Sequence, residues 1–241
     1  MKRAGVIVAL VSEARAIFGS KGWSSKEGFL QKEIVLKGTN LLIVISGQGG
    51  KQAASAAAYL KTKGVNLIIN VGVAGALNFE LVPGNLVVPS HFLSDNQPTI
   101  LENPQARELT SLLNQRGINA KKCKLVTTER TVATSEEKIN LSRQTGACAV
   151  DMEAYWIARD LEGKRDIRLI VLKAISDHVN QALPEEITSC MRPDGNMDYV
   201  SLIKAILRKP SLLITIMRLG RGFKLATLKL KNAISKVSAS D

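Results

Sequence analysis

Short apolar runs recur through the first 175 residues, and most stop at a turn of small or polar residues before an Ala-rich or amphipathic stretch begins. The runs are Gly5–Val11, Ile34–Val35, Leu41–Ser46, Leu67–Val71, Asn85–Val88, Lys124–Thr127 and Leu169–Ile175. A strand that is apolar throughout, rather than at alternate positions, is covered on both faces, and helices between such strands join them in parallel. The expected fold is therefore α/β: a three-layer α/β/α sandwich with a central mixed, mostly parallel sheet. At 241 residues with 45% hydrophobic content, the chain has enough apolar surface to bury such a core.

The predicted helices are Gln52–Lys63, Pro104–Arg116, Ser135–Thr145 and Met152–Leu161, and the Pro-flanked stretch Asp95–Asn103 reads as a loop. Ser135-Glu136-Glu137-Lys138 opens like a helix N-terminus, with a polar cap and acids in the first turn. Met1-Lys2-Arg3 with the apolar run after it imitates a signal peptide, but Glu13 and Arg15 interrupt the cleavage region and a first strand explains the same residues.

The net charge of +12 first suggests a nucleic-acid or membrane partner. Its distribution changes that reading. Residues 1–198 hold 24 basic and 20 acidic side chains, whereas 199–240 hold nine basic and no acidic ones. The expected division is a catalytic domain over 1–209 and a basic amphipathic extension over 210–241. Tyr199–Leu207 places Val200, Ile203, Ile206 and Leu207 on one helical face behind a cap at Asp198, a face expected to pack on the body; Pro210 then interrupts. Ser211–Leu219 is apolar, Gly220 and Gly222 break the chain, and Phe223–Val237 mixes apolar residues with lysines. An apolar, basic, acid-free segment suits an anionic bilayer surface. A nucleic-acid reader would need aromatics interleaved with the basic residues, and only Phe223 meets that requirement after Tyr199. No apolar stretch approaches the roughly 18–20 residues of a spanning helix. Cys123, Cys148 and Cys190, without a C-x-x-C pair, together with only two histidines, argue against a metal site, and reduced cytoplasmic thiols are expected.

Four constellations could carry chemistry. The turn Ser46-Gly47-Gln48-Gly49-Gly50-Lys51 presents backbone N–H groups at a helix start, although, taken alone, such a run is more often a tight turn without a ligand. Asn70-Val71-Gly72-Val73-Ala74-Gly75 lines a strand's carboxyl end, where ligands approach the backbone in open α/β sheets; close packing is the alternative. Asp151-Met152-Glu153 sets two carboxylates at a helix start, and Ser176-Asp177 ends a buried strand in a carboxyl group that is either a cap or an acid aimed into a cleft.

In this order the pieces resemble the nucleoside phosphorylase and nucleosidase superfamily. The run from Ser46-Gly47-x-Gly49-x-Lys51 through Asn70-x-Gly72-x-Ala74-Gly75-x-Leu77, Pro83-Gly84-Asn85-Leu86-Val87-Val88-Pro89 and Asp151-Met152-Glu153-Ala154 to Ala174-Ile175-Ser176-Asp177 looks like 5′-methylthioadenosine/S-adenosylhomocysteine nucleosidases. Thr131–Lys138, Arg143–Glu153 and Ala182-Leu183-Pro184, continued by Asp194-Gly195, resemble the hopanoid-associated phosphorylases, a group associated with removing adenine from adenosylhopane.

The resemblance implies roles for particular residues. Glu153 would bind the ribose hydroxyls and Met152 the sugar face, while Thr131 and Val132 hold the adenine edge where relatives often place an aromatic. Ser46, Ala74 and Gly75 would complete the substrate site, and Asp177 would assist departure of the purine as an acid at N7. Two attacking groups remain open: a water activated by Glu13, or phosphate held by Arg15 with Gly47 and Gly49. No cofactor is implied, phosphate being a co-substrate in the second case. The implied partners are a lipid-linked or small adenine nucleoside, an anionic membrane surface and further copies of the chain, with no nucleic acid.

Overall fold

The computed structural model describes residues 3–164, 166–190 and 198–237. Asp194 and Gly195, cited above for the resemblance, and residues 238–241 of the extension lie outside them. The sheet is built from β1 (Arg3–Val8), β2 (Ser24–Lys26), β3 (Phe29–Leu36), β4 (Thr39–Ile45), β5 (Leu67–Ala76), β6 (Leu86–Ser94), β7 (Leu101–Glu102), β8 (Ala120–Thr127), β9 (Ala149–Asp151) and β10 (Arg168–Asp177). The helices are α1 (Val11–Phe18), α2 (Gly50–Thr62), α3 (Ala106–Gln115), α4 (Ser135–Thr145), α5 (Ala154–Asp160), α6 (Glu185–Thr188), α7 (Tyr199–Arg208) and α8 (Leu212–Val237).

The sheet is mixed, as expected. The parallel pairings include the long ladders of β10 on β5 and β6 on β8, while the β2–β3–β4 edge is an antiparallel meander. It also closes partly on itself. β5 pairs with β10, β10 with β6, β6 with β8, β8 with β9, and β9 returns to β5. This ring brings the carboxyl ends of β5, β9 and β10 together, and each of those ends carries one of the motifs singled out above.

Helices cover both faces of the sheet. On one, α2 and α5 pack Leu60, Tyr155 and Ile157 into a core cluster; on the other, α1, α3 and α8 bury Ile17, Leu109, Leu113 and Leu230. Several expectations change in detail. The stretch read as a loop contains β7, whose Leu101 is buried against β6. Helix α5 starts at Ala154 rather than Met152, because the Asp151 carboxylate accepts the Ala154 N–H at 3.0 Å and leaves Met152 and Glu153 in the turn before it. Cys123 and Cys148 lie side by side on neighbouring segments, with Cα atoms 6.1 Å apart, and Cys190 is free and buried.

The C-terminal segment is also changed. Gly220 and Gly222 do not break it: α8 runs unbroken for 26 residues. A β-carbon on Gly222 would lie 2.0 Å from the Ser176 carbonyl oxygen, so the glycine lets the helix backbone touch the end of β10. The buried face of α8, with Ala226, Leu230 and Ala233, joins the second core cluster. On α7 the Asp198 side chain caps the helix as expected, but Val200, Ile203 and Leu207 are exposed instead of packed on the body. Among the described residues, no helix is long and apolar enough to cross a membrane.

Candidate active site

Glu13 stands in the first turn of α1 and is turned inward, 2% exposed. Its Oε2 accepts the Leu10 N–H at 3.1 Å and its Oε1 accepts the Val73 N–H at 2.8 Å, which ties the helix start to β5. A β-carbon on Gly72 would fall 3.2 Å from Oε1, so this glycine makes room for the carboxylate. Burial raises the Glu13 pKa above the ordinary carboxylate range, against the opposing pull of the two N–H groups and of Lys173.

Lys173, on β10, is 1% exposed and lies at the centre of a carboxylate cluster. Its Nζ is 2.7 Å from Asp151 Oδ2 and 3.8 Å from Glu153 Oε2. Burial alone would lower its pKa, but Asp151, Glu153 and Glu13 together hold it above the usual value, so the ammonium stays charged. Asp151 is saturated: besides Lys173 it accepts the Thr127 hydroxyl at 2.6 Å and the Ala154 N–H. It therefore holds the lysine and the α5 start in place. Glu153 is less fully engaged, with Oε1 accepting the Gly49 N–H at 3.1 Å. Burial pushes its pKa up to about 7, with Lys173 lowering it and Asp151 adding to the rise.

The glycine-rich turn reaches the same place. Gly47 and Gly49 have φ of +85° and +103°, a backbone region that favours glycine, and a β-carbon on Gly50 would collide with Trp156 of α5. The turn thus approaches α5 closely enough for Gln48 Nε2 to donate to Met152 Sδ at 2.8 Å and for Gly49 to hold Glu153. Ser46 spends its hydroxyl on the Gly47 carbonyl at 2.8 Å. Thr131 Oγ1 lies 3.9 Å from Met152 Sδ, and Val132 packs beside the small cluster that contains Leu77 and Val150.

Asp177 ends β10 where the register shifts against Gly75. A β-carbon on Gly75 would lie 3.2 Å from Asp177 Oδ2, so Gly72 and Gly75, three residues apart on β5, each leave space for one carboxylate. Asp177 Oδ2 is 2.5 Å from Lys138 Nζ, and Oδ1 accepts the Ser176 hydroxyl at 2.7 Å. Lys138 also donates to the His178 and Gln181 carbonyls, which uses all three of its donors. The Ser176 hydroxyl reaches the Ala74 carbonyl at 3.4 Å.

Of the residues expected from sequence, Glu13, Gly49, Met152, Glu153 and Thr131 gather around Lys173 and the glycine-rich turn, and Asp177 stands at the same end of the sheet beside Ala74 and Gly75. Arg15 does not join them. It is exposed on α1, because two residues along a helix turn a side chain about 200° away from the inward direction of Glu13. The sequence places Lys138, Thr127 and Gln48 only in a helix start, a strand and a turn, and assigns a role in the site to none of them, nor to Lys173 or Asp151.

The family profile described as Phosphorylase superfamily matches residues 3–195. A 5′-methylthioadenosine/S-adenosylhomocysteine nucleosidase of Buchnera aphidicola subsp. Baizongia pistaciae is 28% identical over 198 residues, 73% of this chain and 78% of that protein. Among solved structures, futalosine hydrolase of Helicobacter pylori strain 26695 superposes with a TM-score of 0.74 at 15% identity, covering 98% of this chain and 97% of that one. The Neisseria meningitidis 5′-methylthioadenosine/S-adenosylhomocysteine nucleosidase in complex with methylthio-immucillin-A does so with a TM-score of 0.71 at 18% identity, covering 98% of each chain. These structural matches extend beyond the profile and so include α8.

Proposed function

The chain belongs to the phosphorylase superfamily, and from that premise we propose that it hydrolyses the N-glycosidic bond of an adenine nucleoside. The observation that carries this reading is that Glu13 and Asp177 each lie against a glycine near the carboxyl end of one strand, Gly72 and Gly75 of β5. One carboxylate is then available to the attacking oxygen and the other to the departing base.

In this reading Glu153 accepts hydrogen bonds from the ribose hydroxyls and the Met152 thioether faces the sugar. Water attacks the anomeric carbon and loses a proton to Glu13, whose raised pKa makes it a better base near neutral pH than an ordinary carboxylate. The bond to the purine breaks with its electron pair going to the base, and N7 takes a proton passed through Asp177 from its ion pair with Lys138. Water is favoured over phosphate because Glu13 is buried against β5 whereas Arg15 is exposed on α1.

For the substrate we propose adenosylhopane, on the motifs shared with hopanoid-associated phosphorylases. The Buchnera relative favours a second reading, in which 5′-methylthioadenosine or S-adenosylhomocysteine is cleaved. The lipid-linked substrate would be met at a membrane surface by the C-terminal helices. Adenine release from adenosylhopane, 5′-methylthioadenosine and adenosine, with and without phosphate, tests all of this. Release from adenosylhopane in preference to the others, without phosphate and lost in Asp177→Asn, is expected. Strict phosphate dependence would overturn the hydrolytic step, and activity unchanged in Asp177→Asn would overturn the acid.

A further inference from the structure

Helix α8 has a face that the fold does not cover. Around the helix at 100° per residue, Ile214, Met217, Leu225 and Leu228 form a ridge opposite the buried Leu212, Ala226 and Leu230, and all four are at least 40% exposed. Arg221 lies within the ridge, and other basic residues line its flanks: Lys224 and Lys231 on one side, Arg218, Lys229 and Lys236 on the other. Helix α7 repeats the pattern with Val200, Ile203 and Leu207 exposed and Lys204 and Arg208 beside them. Eight of the twelve large apolar side chains exposed among the described residues belong to these two helices.

The flank that carries Lys229 and Lys236 borders a cleft of about 460 Å³. Lys121, from the start of β8, and Asn85 and Asn119 line its other side, and none of the described residues that line it is acidic.

An apolar ridge between basic flanks restricts what can cover it. A second copy docking face to face would set the eight basic residues of these two faces against the same eight, because 199–240 contains no acid. A nucleic acid would leave the apolar ridge in water and find no row of stacking aromatics. An anionic bilayer satisfies both features, since its acyl boundary takes the ridge and its headgroups the lysines and arginines.

We propose that the outward faces of α7 and α8 are a docking surface for an anionic lipid bilayer, with a headgroup phosphate seated in the Lys121–Lys229–Lys236 cleft. The surface is continuous with the reacting end of the sheet. The inner side of α8 touches the Ser176 carbonyl through Gly222, and Leu225 contacts Gly84, whose N–H donates to the Ile175 carbonyl. A bilayer on this face therefore lies on elements packed directly against the strand that ends in Asp177. The proposal does not depend on the reaction assigned to the site.

Co-sedimentation of the full chain with phosphatidylcholine vesicles, with and without phosphatidylglycerol, tests it. Each basic side chain near the surface contributes about fivefold in binding, so the anionic vesicles should bind at least about tenfold better, and added salt should erase the difference. Replacing Ile214, Met217 and Leu228 together by Ser should reduce binding about tenfold or more while adenine release from soluble adenosine stays unchanged. If that variant fails to fold, Lys224→Glu with Lys231→Glu should weaken binding as strongly. Equal binding to neutral and anionic vesicles, or variants that bind like the wild type, would overturn the proposal. So would a wild-type dimer that ignores vesicles and becomes monomeric in the Ser variant.

Discussion

Lys138 Nζ lies 2.5 Å from Asp177 Oδ2, and the lysine side chain is almost wholly withdrawn from water. The helix that carries Lys138 is fixed by its own first turn, where the Thr134 hydroxyl accepts the Glu137 N–H and Glu137 accepts the Thr134 N–H. The ammonium therefore arrives at Asp177 on a rigid element. With a second donor, Ser176, on the other oxygen, both carboxylate oxygens are engaged.

Removing one partner of such a pair strands a charge. Lys138→Met should cost about 3–5 kcal/mol of stability, measured by denaturant unfolding, and should abolish adenine release. The double variant Lys138→Met/Asp177→Asn leaves no unpaired charge and should recover much of that stability without recovering activity. Recovery of neither would mean that Lys138 holds the 178–181 loop through the His178 and Gln181 carbonyls more than it serves Asp177.

A pH dependence follows from the buried carboxylates. If Glu153 must be ionised to act, adenine release should rise along an acidic limb with a midpoint near 7 rather than near 4.5, and burial shifts the ionisation of Glu13 in the same direction. Lys173 pulls both pKa values down, so Lys173→Met should move the limb to higher pH in whatever activity survives. Stability should run the other way. Between pH 4.5 and about 7 the folded chain keeps a proton on Glu153 that the unfolded chain has released, so stability falls as pH rises through this window. The loss is on the order of 3 kcal/mol at most and is complete above pH 7. Denaturant midpoints that rise between pH 5 and pH 7.5 would contradict the assignment.

The parts of the site legible in sequence are those where residue type alone limits the role. Glycines after a buried strand, a carboxyl group at a strand end, and Asp-Met-Glu before a helix each stand out locally. The two lysines do not. Lys138 lies in a polar stretch, Ser135-Glu136-Glu137-Lys138, that reads as a solvated first turn, and only the ring formed by β5, β10, β6, β8 and β9 shows what its ammonium meets. Lys173 stands inside an apolar strand, and that was the available signal: a charge at a fully buried position calls for partners. The short strands β2 and β9 were missed for want of length, since three residues establish no periodicity. The basic segment was legible as composition only, because charge counts do not report which helical face is buried.

Two neighbouring glycines of α8 should respond oppositely to the same substitution. Nothing lies within 4 Å of a β-carbon placed on Gly220, so Gly220→Ala should stabilise the helix by up to about 1 kcal/mol. Gly222→Ala gains the same helix propensity but drives a methyl group onto the Ser176 carbonyl, so α8 or the end of β10 must shift. It should destabilise the chain and slow adenine release, since Asp177 is the next residue. Equal melting temperatures for the two variants would show that α8 is not seated on β10 as described.

The choice between water and phosphate reduces to a comparison within one helix. Glu13 and Arg15 share α1, but the first is buried against Val73 and the second faces solvent. If the attacking group is water, Glu13→Gln keeps the shape of the side chain but loses the base, and release should fall by about 10²–10⁴-fold, the usual worth of a general base. Arg15→Ala should leave the rate within about twofold, as expected for an exposed side chain remote from the chemistry. A phosphorolytic enzyme that held its anion with Arg15 would give the reverse, with a rise in the phosphate KM in Arg15→Ala and a sugar 1-phosphate as product. Measuring both variants with and without phosphate, and identifying the ribosyl product, decides between the two because the two substitutions lie on opposite sides of one helix and cannot share an effect through packing.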